Sequence, residues 1–512
     1  MNGSDLDRRT FLRSSLQVGA GLLLPVAGAT FGTGTARAAK RRTTVAPPRT
    51  PTLRLSSLNF VAEQVVNGPL DATPISALGG LVTEYLIAVD SASQLVPQLA
   101  TSWRTNDAGT VWSFDIRPGV SFHDGRPMTA ESVANSFRAS LAAGQAGQLT
   151  GIVSADGVRA LRGNIVRFTL GVPFGLFPYL VSSDNPPSAV INGRNRTGAG
   201  RWLAGTGPYL AVKPKAAELL LLPNPQYWRK EKPRYNSVVV VGRTNDSEAA
   251  AQLTEGRVDL AVGLAGDPEN VLQDAGFILG ATPSTAHFQV HMRTDSVLFG
   301  DARVRKAVQL TLDRTAIAKQ FRAGRGSVGA DSPVASFLPF VSAVAAPKPS
   351  IAQAKQSLRD AKKRRGFSGT IACSDSPEAV ALAKAVAAAT APVGIALEVR
   401  SSATYGTDAW MNSDMGVTEM GHRIAPGLLL AATLGSDGAW NASRNKDANL
   451  DALIRGLTIS SDREVLRRQS RLLHEQLVKS VPILVPVFLP YLWGARKGFE
   501  AAQVSPHGQI SV

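Results

Sequence analysis

Six histidines and one cysteine are the only imidazole and thiol groups in this 512-residue chain. His287 and His291 stand four apart, a spacing that on a helix would aim two rings at one metal ion. Their surroundings, Ala286-His287-Phe288-Gln289-Val290-His291-Met292, alternate in polarity, which predicts a strand instead. On a strand the two positions lie about 13 Å apart, too far for one ion to bridge. His123 precedes Asp124-Gly125 in a turn and reads as hydrogen-bonded structure. Cys373 stands alone, so it makes no disulfide within the chain and excludes a cysteine-rich zinc or iron–sulfur site. Gly324-Arg325-Gly326-Ser327-Val328-Gly329 has G-x-G-x-x-G spacing, but it follows a helical pattern rather than a strand. No helix start is then placed to meet a pyrophosphate, and the segment reads as a loop. The sequence contains no G-x-S-x-G elbow, Walker A or H-E-x-x-H motif. No nucleophile–base pair is assembled, so the residues point to binding rather than catalysis, with no cofactor or metal expected.

The framework that must position these groups is an ordinary globular one: 44% hydrophobic, 18% charged, with Gly 47 and Pro 31. The length suggests two or three packed units. Lys+Arg 55 against Asp+Glu 39 gives a net charge of +16. The longest basic runs are Lys40-Arg41-Arg42 and Lys362-Lys363-Arg364-Arg365. The second reads as the cationic end of a helix over Ile351–Arg365 stopped by Gly366. Neither run interleaves aromatics, so the charge reads as a solvated surface and no nucleic-acid partner is expected.

Residues 1–38 read as an export signal. Arg8-Arg9 followed by Phe11-Leu12 is a twin-arginine start, Leu16 to Phe31 is a weakly apolar middle, and Ala36-Arg37-Ala38 is a small-residue cleavage site. The apolar stretch is shorter than the ~20 residues of a spanning helix. Cleavage near Ala38 predicts a periplasmic protein whose residues 39–51 form a flexible leader. Beyond it, strands are expected at Thr52–Leu55, Val111–Ile116, Val166–Leu170, Leu219–Leu222, Val238–Val241 and Ile395–Val399. Thr129 reads as the N-cap of a helix burying Val133, Phe137 and Leu141. Further helices are expected over Arg303–Phe321, Pro377–Ala391 and Arg463–Lys479. The proline-punctuated Val481–Val487 suits an edge strand or a crossover. Helices alternating with strands argue for α/β lobes.

Longer motifs then narrow the reading. Pro97-Gln98-Leu99-Ala100-Thr101-Ser102-Trp103, Phe114 through Gly125 to Thr129-Ala130, Gly205-Thr206-Gly207-Pro208-Tyr209, Asn224 with Tyr227-Trp228, and Asp301-Ala302-Arg303-Val304-Arg305-Lys306-Ala307 with Asp313-Arg314 occur in this order. Together they resemble the extracytoplasmic solute-binding proteins of family 5, the oligopeptide-, dipeptide- and nickel-binding components of ABC importers, over roughly residues 52–500. The resemblance implies a two-lobed periplasmic-binding-protein fold of the flytrap kind, with an extra subdomain in the first lobe. The first-lobe core would comprise 52–80, 203–286 and 485–512, the subdomain 81–202 and the second lobe 287–484. Lobe crossings are expected near Trp202–Gly207, Ala286–Val290 and Ile483–Pro486. Gly205 and Gly207 are expected to take backbone turns closed to residues with a Cβ.

One departure bears on the ligand. Peptide-binding relatives carry W-x-x-D-x-x-D-P in the second lobe, the first Asp holding the peptide's α-amino group. The matching segment here is Met420-Gly421-His422-Arg423-Ile424-Ala425-Pro426, which puts Arg423 where the amine-binding Asp would be. The expected ligand is therefore a peptide-like or other small solute with an anionic group, or a capped peptide. The alternative is that this loop packs outside the cleft. The ligand-binding residues that the resemblance implies are Asn59, Phe60, Tyr85, Arg293, Tyr405, Glu419, His422, Arg423, Trp440 and Asn441. The expected partners are that solute and the membrane permease of an ABC importer, with the protein itself a monomer. The competing reading is an exported hydrolase or modifying enzyme that uses a two-lobed cleft.

Overall fold

The structure is a computed structural model that describes residues 52–58, 60, 78–192, 194–197, 200–212, 218–243, 245, 247–264, 272, 276–499 and 502–511. The export signal, the 39–51 leader and Asn59 lie outside the described residues. Two mixed sheets carry the chain. The first has seven strands in the order Tyr209–Ala211, Glu218–Pro223, Val238–Arg243, Leu53–Leu58, Leu260–Val262, Tyr491–Ala495, Ile278–Thr282. Leu53–Leu58 lies parallel to both neighbours, Leu53 opposite Val238 and Leu55 opposite Leu260. A parallel strand covered on both faces must be buried along its length, and Leu53, Leu55, Ser56 and Ser57 all are.

The second sheet has six strands in the order Ser327–Val328, Ile483–Phe488, His287–Met292, Met415–Met420, Phe367–Ser374, Ile395–Ser402. Its apolar face shares one core with the helices Ala302–Thr311 and Pro377–Thr390, through Phe288, Val308, Ile371 and Leu382. Cys373 is buried in that core, and burial pushes its thiol pKa up to about 11.

The chain passes between the sheets at 283–286 and again at 489–490. The Leu489 N–H donates to the Ala286 carbonyl at 2.6 Å, so the two crossings are tied to each other. The last crossing thus falls after Ile483–Pro486, and residues 485–488 belong to the second sheet. The proline-punctuated run is an inner strand rather than an edge or a crossover. Its outer neighbour is only two residues long, with Ser327 opposite Phe488 and Val328 opposite Val487, so few ladder bonds are asked of that side.

Residues 202–207 make no lobe crossing either; they lead into the first sheet. His123 N–H donates to the Gly205 carbonyl at 2.9 Å, and Nε2 of its ring lies 3.0 Å from the Gly207 carbonyl. Neither glycine takes a positive φ. Both are required by packing: a Cβ on Gly205 would sit 1.9 Å from the Val82 carbonyl oxygen, and one on Gly207 2.4 Å from that of Leu81. Glu84 lies buried behind this contact. Its carboxylate accepts hydrogen bonds from Trp228 Nε1 at 2.8 Å, Tyr227 OH at 2.9 Å, Thr206 Oγ1 at 2.9 Å and Gln98 Nε2 at 3.1 Å. Burial raises its pKa, against the pull of those donors.

Between the first strand and this junction lies a four-stranded antiparallel sheet, in the order Ala100–Thr105, Val111–Ile116, Ile165–Leu170, Val153–Leu161. The helix Ala130–Ala142 packs on it, capped by Thr129 and Ser132 in a reciprocal capping box. Val133 and Phe137 are buried and Leu141 half-buried. Phe168 sits 5.5, 5.0 and 5.3 Å from the ring centres of Phe114, Phe137 and Phe177. This apolar core continues into Leu430 and Leu434, Leu450 and Ile454, and Leu466 and Leu473, from the helices Gly427–Leu434, Ala448–Ile459 and Arg463–Ser480. Gly175 N–H donates to the Thr458 carbonyl at 2.9 Å, and a Cβ on Gly175 would meet the Ser460 oxygen at 1.9 Å.

Two helices differ from expectation. Arg303–Phe321 divides into Ala302–Thr311 and Arg314–Ala318, because Asp313 accepts the Ala316 N–H and starts a new helix. Ile351–Arg365 ends at Asp360, where Lys362 takes a left-handed φ of 58°. The basic run is therefore a turn beyond the helix, with Lys363 Nζ 4.9 Å from the Phe367 ring centre.

Candidate functional site

The strand Met415–Met420 delivers its following loop to the 283–286 crossing, where three distant parts of the chain meet. Thr285 binds the loop twice: its Oγ1 accepts the Arg423 N–H at 2.7 Å and donates to the Arg423 carbonyl at 2.9 Å. Its backbone N–H donates to His422 Nδ1 at 2.8 Å. An imidazole nitrogen that accepts an amide proton carries none itself, so the neutral ring bears its proton on Nε2. That nitrogen lies 3.0 Å from Asp184 Oδ1, and both side chains are almost fully buried. Asp184 Oδ2 accepts the Ile424 N–H at 3.0 Å, and His507 Nε2 lies 3.3 Å from Oδ1. Burial alone would raise the Asp184 pKa, but the two imidazoles beside it hold it well below the usual carboxylate range. Burial holds the His422 pKa below its ordinary value, against the pull of Asp184.

Asp184, His422 and His507 place three metal-type donor atoms within 4.8 Å of one another. Besides the Thr285 N–H, the hydroxyl oxygens of Ser284 and Thr285 lie 3.2 and 3.1 Å from His422 Nδ1. The trio brings together three parts of the chain that are remote in sequence.

Arg423 differs from its neighbours. Its backbone is fixed on Thr285, but among the described residues its guanidinium makes no hydrogen bond or ion pair. Burial lowers its pKa and Asp184 raises it. Beside the loop, Tyr405 and Trp440 gather with Trp410, Met411, Met420 and Leu429 in one partly buried aromatic cluster. Burial pushes the Tyr405 hydroxyl pKa up to about 12. Asn441 holds this corner's backbone: its Nδ2 donates to the carbonyls of Gly435 at 3.1 Å and Asn445 at 2.8 Å. Glu419 lies 3.5 Å from Arg322, which also meets Glu378 at 3.2 Å.

The structure brings Glu419, His422 and Arg423 to the Met420 end of the second sheet, whereas Tyr405 packs against Gly416 and Asn441 accepts from Ser443, whose carbonyl accepts the Thr294 N–H at 2.8 Å nearer the other end. Tyr85 reaches this region through the hairpin that carries His507, its hydroxyl accepting from Gln509 Nε2 at 2.6 Å. Phe60 is buried in the first-lobe core beside Leu53 and Tyr209. Arg293 pairs with Asp295 at 2.8 Å just past the Met292 end of the His287–Met292 strand, away from His422 but next to Thr294, whose N–H donates to the Ser443 carbonyl. His287 and His291 lie on that strand, bound separately to the carbonyls of Thr285 at 2.8 Å and Ser413 at 2.9 Å. Burial lowers both pKa values to about 4. A recess of about 570 Å³ elsewhere, lined by Val96, Arg117, Trp228, Arg229, Lys230 and Glu231 among others, includes none of these residues.

Sequence reasoning missed Asp184, His507 and Thr285. Asp184 lies 240 residues from the Ile424 amide it accepts and 323 from His507. No local pattern marks an aspartate whose partners are that remote.

Two mixed sheets joined by two short crossings, with a recognition loop clasped between them, define a two-lobed binding protein. Residues 94–441 match the family model "Bacterial extracellular solute-binding proteins, family 5 Middle", so the chain belongs to that family. It is 29% identical over 239 residues to the probable D,D-dipeptide-binding periplasmic protein DdpA of Escherichia coli, covering 44% of this chain and 46% of that one. It is 26% identical over 294 residues to the periplasmic murein peptide-binding protein MppA of the same species, covering 52% and 53%. The chain thus aligns with about half the length of these curated relatives. The solved structure of HbpA2 from Haemophilus parasuis shares the fold, with a TM-score of 0.76 at 18% identity over 90% of this chain and 98% of that one. No described helix is long and apolar enough to cross a membrane.

Proposed function

We propose that this protein is a non-catalytic receptor that captures a small peptide-like solute between its lobes and delivers it to the permease of an ABC importer. It would reach the periplasm by the twin-arginine signal at Arg8-Arg9 and act as a monomer. The names of its relatives, D,D-dipeptide-binding and murein peptide-binding, favour a peptide-like ligand. The observation that carries the reading is the Arg423 guanidinium, partly buried with no hydrogen-bond or ion-pair partner among the described residues. A planar cation in that setting suits a carboxylate or another strong acceptor over a free ammonium group. Native mass spectrometry of protein purified without denaturation tests this. A one-to-one adduct carrying an anionic or N-capped group supports the reading. A chain that retains no solute and binds none from a panel of free-amine peptides, N-acylated peptides and organic acids contradicts it.

A further inference from the structure

We propose that the far end of the second lobe is a membrane-contact tip, at which Val297 enters an anionic phospholipid surface and Lys362, Lys363, Arg364 and Arg365 hold it there. This goes beyond solute capture and does not depend on it. The strand His287–Met292 leaves the crossing at 283–286 and ends at Met292, opposite Met415. Phe367–Ser374 runs parallel to Met415–Met420 and starts at that same end. The turn at 294–300 and the basic run at 362–365 therefore share the end of the sheet farthest from the crossings.

The turn holds its apolar residue outward. Phe299 is buried in the core of the second sheet, its ring centre 5.6 Å from that of Phe367. Ser296 Oγ accepts the Phe299 N–H at 3.0 Å, and the Ser296 carbonyl accepts the Gly300 N–H at 2.8 Å. Val297, enclosed by these bonds, is 94% exposed, whereas no other large hydrophobic side chain among the described residues reaches half. Lys363 ties the basic run to the turn: its Nζ donates to the Val297 carbonyl at 3.2 Å and to that of Leu298 at 3.4 Å.

None of the four cations is in an ion pair among the described residues. The carboxylates nearest to them in the two segments are already engaged: Asp295 with Arg293 at 2.8 Å, Asp301 with Arg303 at 2.7 Å, and Asp360 with Gln356 Nε2 at 2.7 Å. The one ring beside the run, Phe367, lies under Lys363 Nζ at 4.9 Å and offers no face on which a base could stack. An anionic bilayer matches the tip better: it carries negative charge at its headgroups and an apolar layer beneath, as cations set around a protruding valine require. Each Lys or Arg near such a surface strengthens binding about fivefold, an effect that fades beyond a Debye length.

Sedimentation of the exported protein with large vesicles tests the tip, comparing pure phosphatidylcholine with phosphatidylcholine carrying about 30% phosphatidylglycerol. Wild type should bind the anionic vesicles alone and leave them as salt is raised. A triple variant, Lys362→Asn with Arg364→Gln and Arg365→Gln, spares Lys363 and puts at position 362 a residue that tolerates its left-handed φ of 58°. It should bind about tenfold more weakly or worse, and Val297→Asp should do the same. Removing three exposed cations from the first lobe, by Arg229→Gln, Lys230→Gln and Lys232→Gln, changes the net charge equally and should cost about twofold at most. Cys373 is buried, so a polarity-sensitive dye on Val297→Cys reports the tip alone, and its emission should shift to the blue on anionic vesicles. Melting curves establish that each variant is folded. A wild type that ignores anionic vesicles, a first-lobe variant as weak as the tip variant, or a dye that stays in water on bound protein would each overturn the tip. No solute enters these measurements, so those results leave the receptor reading standing, whereas a protein that binds vesicles but no solute would sink the receptor reading alone.

Discussion

Two buried carboxylates do opposite work in this molecule. Glu84 takes all four of its donors, Gln98, Thr206, Tyr227 and Trp228, from the framework of the first lobe and its subdomain. Asp184 takes its donors from the second lobe and the C-terminal hairpin. Burial and coordination are similar, yet one carboxylate draws its donors from a single framework and the other ties together three parts of the chain that are remote in sequence. The difference lies in where the partners come from, which the carboxylate's own surroundings in sequence do not reveal.

The largest expected effect is at the first of these. Glu84→Ala leaves four donors without their acceptor in the interior and should destabilise the fold by about 3 kcal/mol or more, read from the midpoint of urea unfolding. If the variant melts like wild type, the framework does not depend on this carboxylate and the contrast with Asp184 collapses. Gly175→Ala comes next. Its methyl would meet the Ser460 carbonyl oxygen where the subdomain contacts the second-lobe helices. Overpacking there should cost about 1–3 kcal/mol and appear as earlier melting together with an expanded scattering profile. A lower melting temperature with unchanged compactness would place that contact within one rigid unit. Arg423→Ala should leave melting unchanged but weaken binding of the co-purified solute about tenfold, near 1.4 kcal/mol, if the guanidinium meets an anion. Calorimetry showing equal affinity would remove Arg423 from recognition. Thr129→Ala loses a capping box and should cost about 1 kcal/mol in thermal unfolding, with no effect on closure.

The same contrast explains what the sequence could reveal. The Thr129 cap and the helix behind it, the Val111–Ile116 strand and the paired glycine motif were legible because each depends on residues close in the chain or on motifs tens of residues long. The break before Asp313 was obscured because the apolar stripe through Val304, Val308 and Ile317 stays buried across it; only the capping aspartate betrays it. Gly205 and Gly207 were correctly marked as positions that need glycine but for the wrong reason, since close packing on Leu81 and Val82 is invisible without the partner. Arg423 was singled out only by comparison with a motif, and its part in recognition is a proposal. Asp184 was not, because its partners Ile424 and His507 lie 240 and 323 residues away in the chain.

The bond between the two crossings, Leu489 N–H to the Ala286 carbonyl, also limits how the lobes can travel. A single linker acts as a universal joint that bends and twists freely. Two strands tied side by side behave as one ribbon, stiff to twisting and to sliding but free to bend across its width. Lobe motion then reduces to one angle. On the receptor reading proposed above, the thickness of whatever lies between the lobes sets that angle, and one mechanical coordinate then reports whether the cleft is empty, filled or overfilled.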